Sequence, residues 1–290
     1  MRSHLTGIDH AVVACDDLDQ ALTDFERLGF TTTARGFHTM GTANHCIMFE
    51  HDYFELLGLP SASTVEPPAS FSRLLARGRG LNALAFHTDD ALLAREELLA
   101  AGLEPGEARD FSRPVETGGG LAHARFRILD LPPGSVPGAY GFACEHFSRE
   151  LVWLPDTQRH PNGACGLDSV LLASASPAET ADAYGRLLDV ASEPRDYGAS
   201  VVCDHGARID ICHPDAVAGY AAGLDLPDGR SLPAVLALGI QVRDPARTRA
   251  WLTGKGVPFR TQADGALLVS AAHAQGTALL FVPASRSVSP

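Results

Sequence analysis

The chain has 290 residues, 45% of them hydrophobic, and a formal net charge of -12 from 23 Lys and Arg against 35 Asp and Glu. That length buries a core as one large domain or two ordinary ones, and the acidic balance argues against a nucleic-acid partner. No apolar run approaches the roughly 20 residues that cross a bilayer, and the first 13 residues lack an apolar signal segment, so the expected location is the cytoplasm.

A βαβββ pattern recurs four times along the chain. The first copy opens on a strand at residues 7–14 and a helix capped by Asp16 or Asp17, with Leu18, Ala21, Leu22, Phe25 and Leu28 at helical spacing. Gly29 ends that helix, and strands are predicted at 30–34, 44–49 and 53–57. The second copy starts at residues 81–87, with Asp89 or Asp90 capping a helix that stops at Gly102. Its later strands are expected near 108–111, 122–129 and 140–147. The third starts at Leu167, and Ser176-Pro177-Ala178-Glu179 reads as a capping box. The fourth starts at Ala234, and Asp244-Pro245 opens its helix. One such unit cannot bury both faces of its strands, so units must pair. The polar, turn-rich stretch 154–163 marks the boundary between two paired-unit domains, 1–155 and 165–290. The fold class is α+β: four tandem βαβββ modules forming two domains with cupped mixed sheets.

The six cysteines form no CxxC pair and read as buried, reduced thiols. The twelve histidines are uneven, with nine in the first 160 residues and three in the rest.

With its repeat, the segment Ile8-Asp9-His10-Ala11-Val12-Val13 and the ending Tyr53-Phe54-Glu55-Leu56-Leu57-Gly58, the chain resembles the vicinal oxygen chelate superfamily of glyoxalase I, extradiol dioxygenases and bleomycin- and fosfomycin-resistance proteins. Gly36-Phe37-His38, Gly41-Thr42-Ala43-Asn44, Cys144-Glu145-His146-Phe147 and Arg159-His160-Pro161-Asn162-Gly163-Ala164 resemble its glyoxalase-like branch. The fold-level resemblance covers the whole chain, and the motifs cover residues 7–164.

The resemblance implies a metal site with ligands from the first and last strands of two paired units. That places His10 first, Glu55 second and Glu145 fourth. The third position falls on Ala83, which cannot ligate. His87 lies on the same strand face, about 13 Å further along, and His123 and His146 are other candidates. By alternation His10 shares a face with Ile8 and Val12, and Glu145 lies opposite His146. A carboxylate on an apolar face needs a partner, and a divalent metal is one; Arg35 or Arg125 is another. The donor set suits Mn²⁺, Fe²⁺, Zn²⁺ or Ni²⁺ alike.

His38 is a candidate proton-transfer group near its ordinary pKa of about 6.5, or else a shaper of its loop. Asn44, Arg159, His160 and Asn162 are candidate substrate contacts; the last three serve equally as a pinned linker. In the second half Ser169 stands where His10 does and Leu238 occupies the matching place in the fourth unit, so residues 165–290 read as a degenerate, structural domain. The leading expectation is a metal-dependent enzyme on a small substrate with vicinal oxygens. It would work as an isomerase or lyase through an enediolate, with Glu55, Glu145 or His38 moving a proton. The alternatives are an extradiol-type dioxygenase and a non-catalytic binding protein that sequesters a small molecule such as an antibiotic. Family members often form homodimers, although two fused domains can supply the same pairing within one chain.

Overall fold

A computed structural model describes residues 2–60, 66, 69–117, 120–226 and 231–284. In chain order the elements are β1 (Ile8–Ala14), α1 (Leu18–Arg27), β2 (Gly36–Phe37), β3 (Ala43–Met48), β4 (Tyr53–Gly58), α2 (Ala69–Leu75), β5 (Gly80–Thr88), α3 (Ala91–Ala100), β6 (Ala108–Thr117), β7 (Gly120–Asp130) and β8 (Tyr140–His146). The second half follows with β9 (Ala164–Ala173), α4 (Pro177–Leu188), β10 (Ser192–Arg195), β11 (Gly198–Val202), β12 (Arg208–Cys212), α5 (Val217–Tyr220), β13 (Ala234–Val242), α6 (Pro245–Gly254), β14 (Arg260–Thr261), β15 (Leu267–Val269) and β16 (Ala278–Pro283).

They form two eight-stranded sheets of matching order, β2-β3-β4-β1-β5-β8-β7-β6 and β10-β11-β12-β9-β13-β16-β15-β14. Each is two βαβββ units joined through their first strands, β1 with β5 and β9 with β13, both antiparallel. The expected α+β architecture of four modules in two halves is therefore the architecture observed. Three of the helices, α1, α3 and α6, start where short acidic side chains satisfy free backbone N–H groups. Asp17 accepts from Asp19 N and Gln20 N, Asp90 from Leu92 N and Leu93 N, and Asp244 from Ala246 N. Gly29 ends the first helix in the left-handed region, at φ +90°, that a side chain disfavours.

Three local expectations change. Residues 30–34 form no strand: Thr33 N donates to Cys46 O, but the Thr33 hydroxyl replaces the backbone carbonyl as the acceptor for Cys46 N. Ser176 caps α4 by position with no side-chain bond to the helix; it is Ser174 Oγ that meets Thr180 Oγ1 at 2.7 Å. The short helix α2 has no counterpart in the predicted elements.

One apolar cluster spans both halves, combining the helix-covered faces of the two sheets. Phe30 of the first half stacks on Phe281 of the second at 5.9 Å. Each opposite face carries a smaller cluster of its own. In the first half that face is cupped, and the loop after β2 reaches the far edge of the sheet. Thr39 N donates to Ser112 O at 3.0 Å, and Ser112 N to Thr39 Oγ1 at 3.2 Å. The two ends of the sheet thereby meet around a cavity.

The stretch 154–163 is a brace between the halves. His160 is buried, accepts from Thr31 N at 3.0 Å and lies 2.9 Å from Met48 O. Asn162, fully buried, donates to Leu28 O at 3.0 Å and accepts from Ala164 N at 2.9 Å. Asp52, buried in the β3–β4 turn, accepts from Leu167 N at 3.0 Å across the junction.

Candidate functional site

The cavity is tight, with about 30 Å³ of space for the centres of water-sized molecules. Its walls are mostly apolar, with Phe71, Phe111, Phe126 and Phe142 among them, and its polar groups are few: His10, His38, Asn44, Glu55 and Arg113.

His10 comes from the middle of β1. The β1–β5 register slips between Ile8 and His10, a β-bulge at Asp9. The bulge breaks the alternation that would otherwise send Asp9 and His10 to opposite faces. It also puts Ile8 into the core shared by both halves, while Val12 stays on the cup face. Asp9, 1% exposed, turns beside His10 and accepts from its Nδ1 at 2.5 Å. His146 Nε2, from the end of β8, reaches the same Asp9 oxygen at 3.0 Å. Burial alone would raise the Asp9 carboxyl, but the two imidazoles outweigh it and hold it well below the carboxylate range. Tyr53 stacks on His10 with ring centres 4.3 Å apart.

With Nδ1 tied to Asp9, the His10 ring turns Nε2 toward the cavity, 3.8 Å from Glu55 Oε2. His38, from the loop after β2, approaches the other oxygen: its Nε2 is 3.9 Å from Glu55 Oε1, and its Nδ1 is 2.7 Å from Thr42 Oγ1. Asn44 Nδ2 donates to Glu55 Oε1 at 2.6 Å. Neither imidazole is close enough to hydrogen-bond the carboxylate. Burial, with the charges of Arg113 and His10, pushes His38 down to about 4 despite the pull of Glu55, so its ring is neutral at pH 7. The expectation of an unperturbed His38 is thus corrected.

Donors about 2.1 Å from one divalent cation lie roughly 3 to 4 Å from each other. Both imidazole–carboxylate separations fall in that range, each to a different oxygen of Glu55, while one ligand atom from each of the three residues does not bring all three within 4.8 Å of one another. The residue types fit a cation as well: two imidazoles, one of them neutral by burial and the other fixed by a carboxylate on Nδ1, face one buried carboxylate. Among the described residues, the group whose ligand atoms all lie within 4.8 Å of one another is instead Asp9, Cys144 and His146. Its Asp9 and His146 are already joined by a hydrogen bond, and burial holds the Cys144 thiol far above its usual range. That group reads as the outer support of His10. Burial likewise raises Cys46 to about 12 and Tyr53 well above its ordinary range, so neither is an acid or base at neutral pH.

The remaining candidates lie elsewhere. Glu145 points to the helix side of the sheet, where its Oε2 accepts from Ala91 N at 3.0 Å at the start of α3 and lies 3.9 Å from Arg127 Nη1. The single-residue step along β8 puts His146, and not Glu145, beside His10. His87 sits at the outer end of β5, with Nδ1 3.4 Å from Thr6 Oγ1, and does not line the cavity. His123 is exposed on β7. Arg159 is exposed, and with the brace residues His160 and Asn162 it lies outside the cavity. Asn44 does line it.

The second half has the same frame with its site closed. In register, Asp210 pairs with Leu171 as Glu55 pairs with Val12, and Ser169 stands in the place of His10. Asp210 accepts from Tyr197 Oη at 2.8 Å, Ser200 Oγ at 2.6 Å and Tyr220 Oη at 2.8 Å. Arg208 Nε adds a contact at 3.4 Å. Its oxygens are spoken for by side chains of the same half.

No protein of curated function matches the sequence. Among solved structures, a hypothetical protein from Staphylococcus aureus superposes with TM-score 0.66 at 15% identity, covering 95% of this chain and 98% of that one. A mutant 4-hydroxymandelate synthase from Streptomyces coelicolor superposes with TM-score 0.54 at 16% identity, over 97% and 92%. A xylose isomerase-like TIM barrel/4-hydroxyphenylpyruvate dioxygenase fusion protein gives TM-score 0.56 at 13% identity; it covers all of this chain, which spans about half (51%) of the fusion's length. At these identities the likeness is one of fold. Among the described residues no helix is long and apolar enough to cross a membrane. Residues 8–188, more than half of the chain, match the family described as Glyoxalase-like domain. The chain belongs to that family, within the vicinal oxygen chelate superfamily.

Proposed function

We propose that this protein is a metal-dependent enzyme whose cation is held by His10, His38 and Glu55, and that it carries out oxygen chemistry on a small substrate with neighbouring oxygens. The observation that carries the reading is that each donor has its own outer partner: Asp9 for His10, Thr42 for His38 and Asn44 for Glu55. Such partners fix ring orientation and tautomer and are the mark of a ligand set. A divalent cation there supplies a Lewis acid for paired substrate oxygens and, as iron, a redox centre; two imidazoles and one carboxylate with open positions suit that role. Asp9 keeps the His10 proton on Nδ1, and burial keeps His38 unprotonated. Asn44 orients Glu55, and the phenylalanine walls exclude water.

The choice of oxygen chemistry over isomerisation rests on the missing base. Glu145 is outside the cavity, Cys46, Cys144 and Tyr53 are held protonated, and His38 near 4 is a weak base at pH 7. The isomerase or lyase reading survives in one form, with Glu55 itself moving the proton, because both imidazoles stand 3.8 to 3.9 Å from its oxygens without bonding them. An oxygen electrode separates the two. Protein loaded anaerobically with Fe²⁺ should consume oxygen with a panel of catechols and enediols, and zinc-loaded protein should not. No uptake with iron, together with proton exchange at a substrate carbon in the zinc or nickel form, would select the isomerase reading.

A further inference from the structure

Arg113, on β6, is 6% exposed and lines the cavity. Among the described residues no carboxylate lies within 4.0 Å of its guanidinium and no side chain hydrogen-bonds to it. Every other arginine of β6 and β7 for which an ion pair is seen has a strand neighbour: Arg109 with Asp130, and Arg127 with Asp110. The Arg113 nitrogens are not fully buried, so with no side-chain partner they stay reachable from the cavity and the groove, and the fold makes room for the guanidinium. Gly36 on β2 lies against it, and a Cβ at that position would run into both Arg113 Nη1 and Asn44 Oδ1. That Asn44 oxygen is itself buried without a donor. Arg113 also borders a second, roomier groove of about 390 Å³, and Val152 lines both spaces. Exposed apolar side chains, Phe37 and Leu121, flank that groove. Arg113 therefore stands between an apolar vestibule and the cavity that holds His10, His38 and Glu55.

We propose that Arg113 is the anion-binding residue of this site and that the substrate is a carboxylate on a small apolar body. It enters through the groove beside Val152 and is held by its carboxylate at Arg113 while its other oxygens face Glu55 and the two imidazoles. A planar guanidinium binds carboxylate through paired N–H donors, which lysine cannot reproduce. The inference deepens the proposed function, but the binding step needs no metal, so it is tested on metal-free protein.

Benzoate and its neutral isostere benzamide are titrated into metal-free wild type, R113M and R113K by calorimetry, with folding checked by circular dichroism. Wild type should bind benzoate at least tenfold more tightly than benzamide. R113M should lose that preference while binding benzamide unchanged, and R113K should fall between them. R113K also guards against a misfolded R113M. Equal affinity of wild type for the two probes, no benzoate binding at all, or an undiminished preference in R113M and R113K would overturn the proposal. If the preference holds while no metal binds in separate titrations, the anion site stands and the metal reading fails.

Discussion

Asp52 gives a prediction whose size follows from the structure. Its carboxyl sits in the turn between β3 and β4, the strands that carry Asn44 and Glu55, and accepts a hydrogen bond from Leu167 N. Burial, against that bond and with the charge of Asp9, raises it from 3.8 to about 7. A carboxyl raised by folding favours the folded state fully below its unfolded value, and that advantage is lost as pH rises toward the folded value. At about 1.4 kcal/mol for each pH unit between the two values, the whole loss is on the order of 4 kcal/mol, of which roughly 2 to 3 falls between pH 5 and pH 8.5. Asp52→Asn keeps an acceptor for Leu167 N and removes the ionisation. Urea unfolding at the two pH values should show the stability of the variant relative to wild type rising by about 2 to 3 kcal/mol from pH 5 to pH 8.5. A difference that stays constant within about 0.5 kcal/mol, or one that falls, refutes the reasoning, because the turn would then be solvated or Asp52 paired.

Two further predictions concern the support of the site. Asp9→Asn keeps the shape but removes the charge that His10 and His146 share; metal affinity should fall about 10- to 100-fold by competition titration, and an unchanged affinity would show that His10 is not a ligand oriented by Asp9. Glu145→Gln keeps an acceptor for Ala91 N and loses a charge at the start of α3; it should cost about 0.5 to 1 kcal/mol in urea unfolding and leave metal stoichiometry alone. Loss of the metal from that variant would return Glu145 to the ligand set.

Much of the fold was legible because its signals are local. Asp17, Asp90 and Asp244 start helices by satisfying the nearest N–H groups, and the four apolar runs that follow the same rhythm became the four central strands. The site was legible in part. His10 and Glu55 lie on long, fully buried strands whose faces alternate reliably from Glu55 onward. The alternation misleads in two places. The bulge at Asp9 adds a side chain to the cavity side that a regular strand would hide. Along β8 one step of register decides whether Glu145 or His146 enters the cup, and a period of two leaves no intermediate outcome. His38 was visible as a residue but not as a partner of Glu55, because its place depends on the loop after β2 bonding to Ser112 across the sheet. Arg113 gave no signal at all. It lies beyond the predicted end of its strand, and only the closing of the cup makes it buried and unpaired. The closed site of the second half was partly visible: the sequence puts Ser169 in the place of His10, but Tyr197, Ser200 and Tyr220 meet at Asp210 only in the folded sheet.

The central claim is that His10, His38 and Glu55 hold one divalent cation. Its most direct test is anaerobic titration of metal-free protein with Fe²⁺, and in parallel with Zn²⁺, followed by elemental analysis of wild type and of His10→Ala, His38→Ala and Glu55→Ala. Wild type should retain close to one equivalent after gel filtration, and each variant should retain well under half while keeping a wild-type circular dichroism spectrum. Retention of a full equivalent by all three folded variants, or the absence of bound metal in wild type across both titrations, would contradict the account.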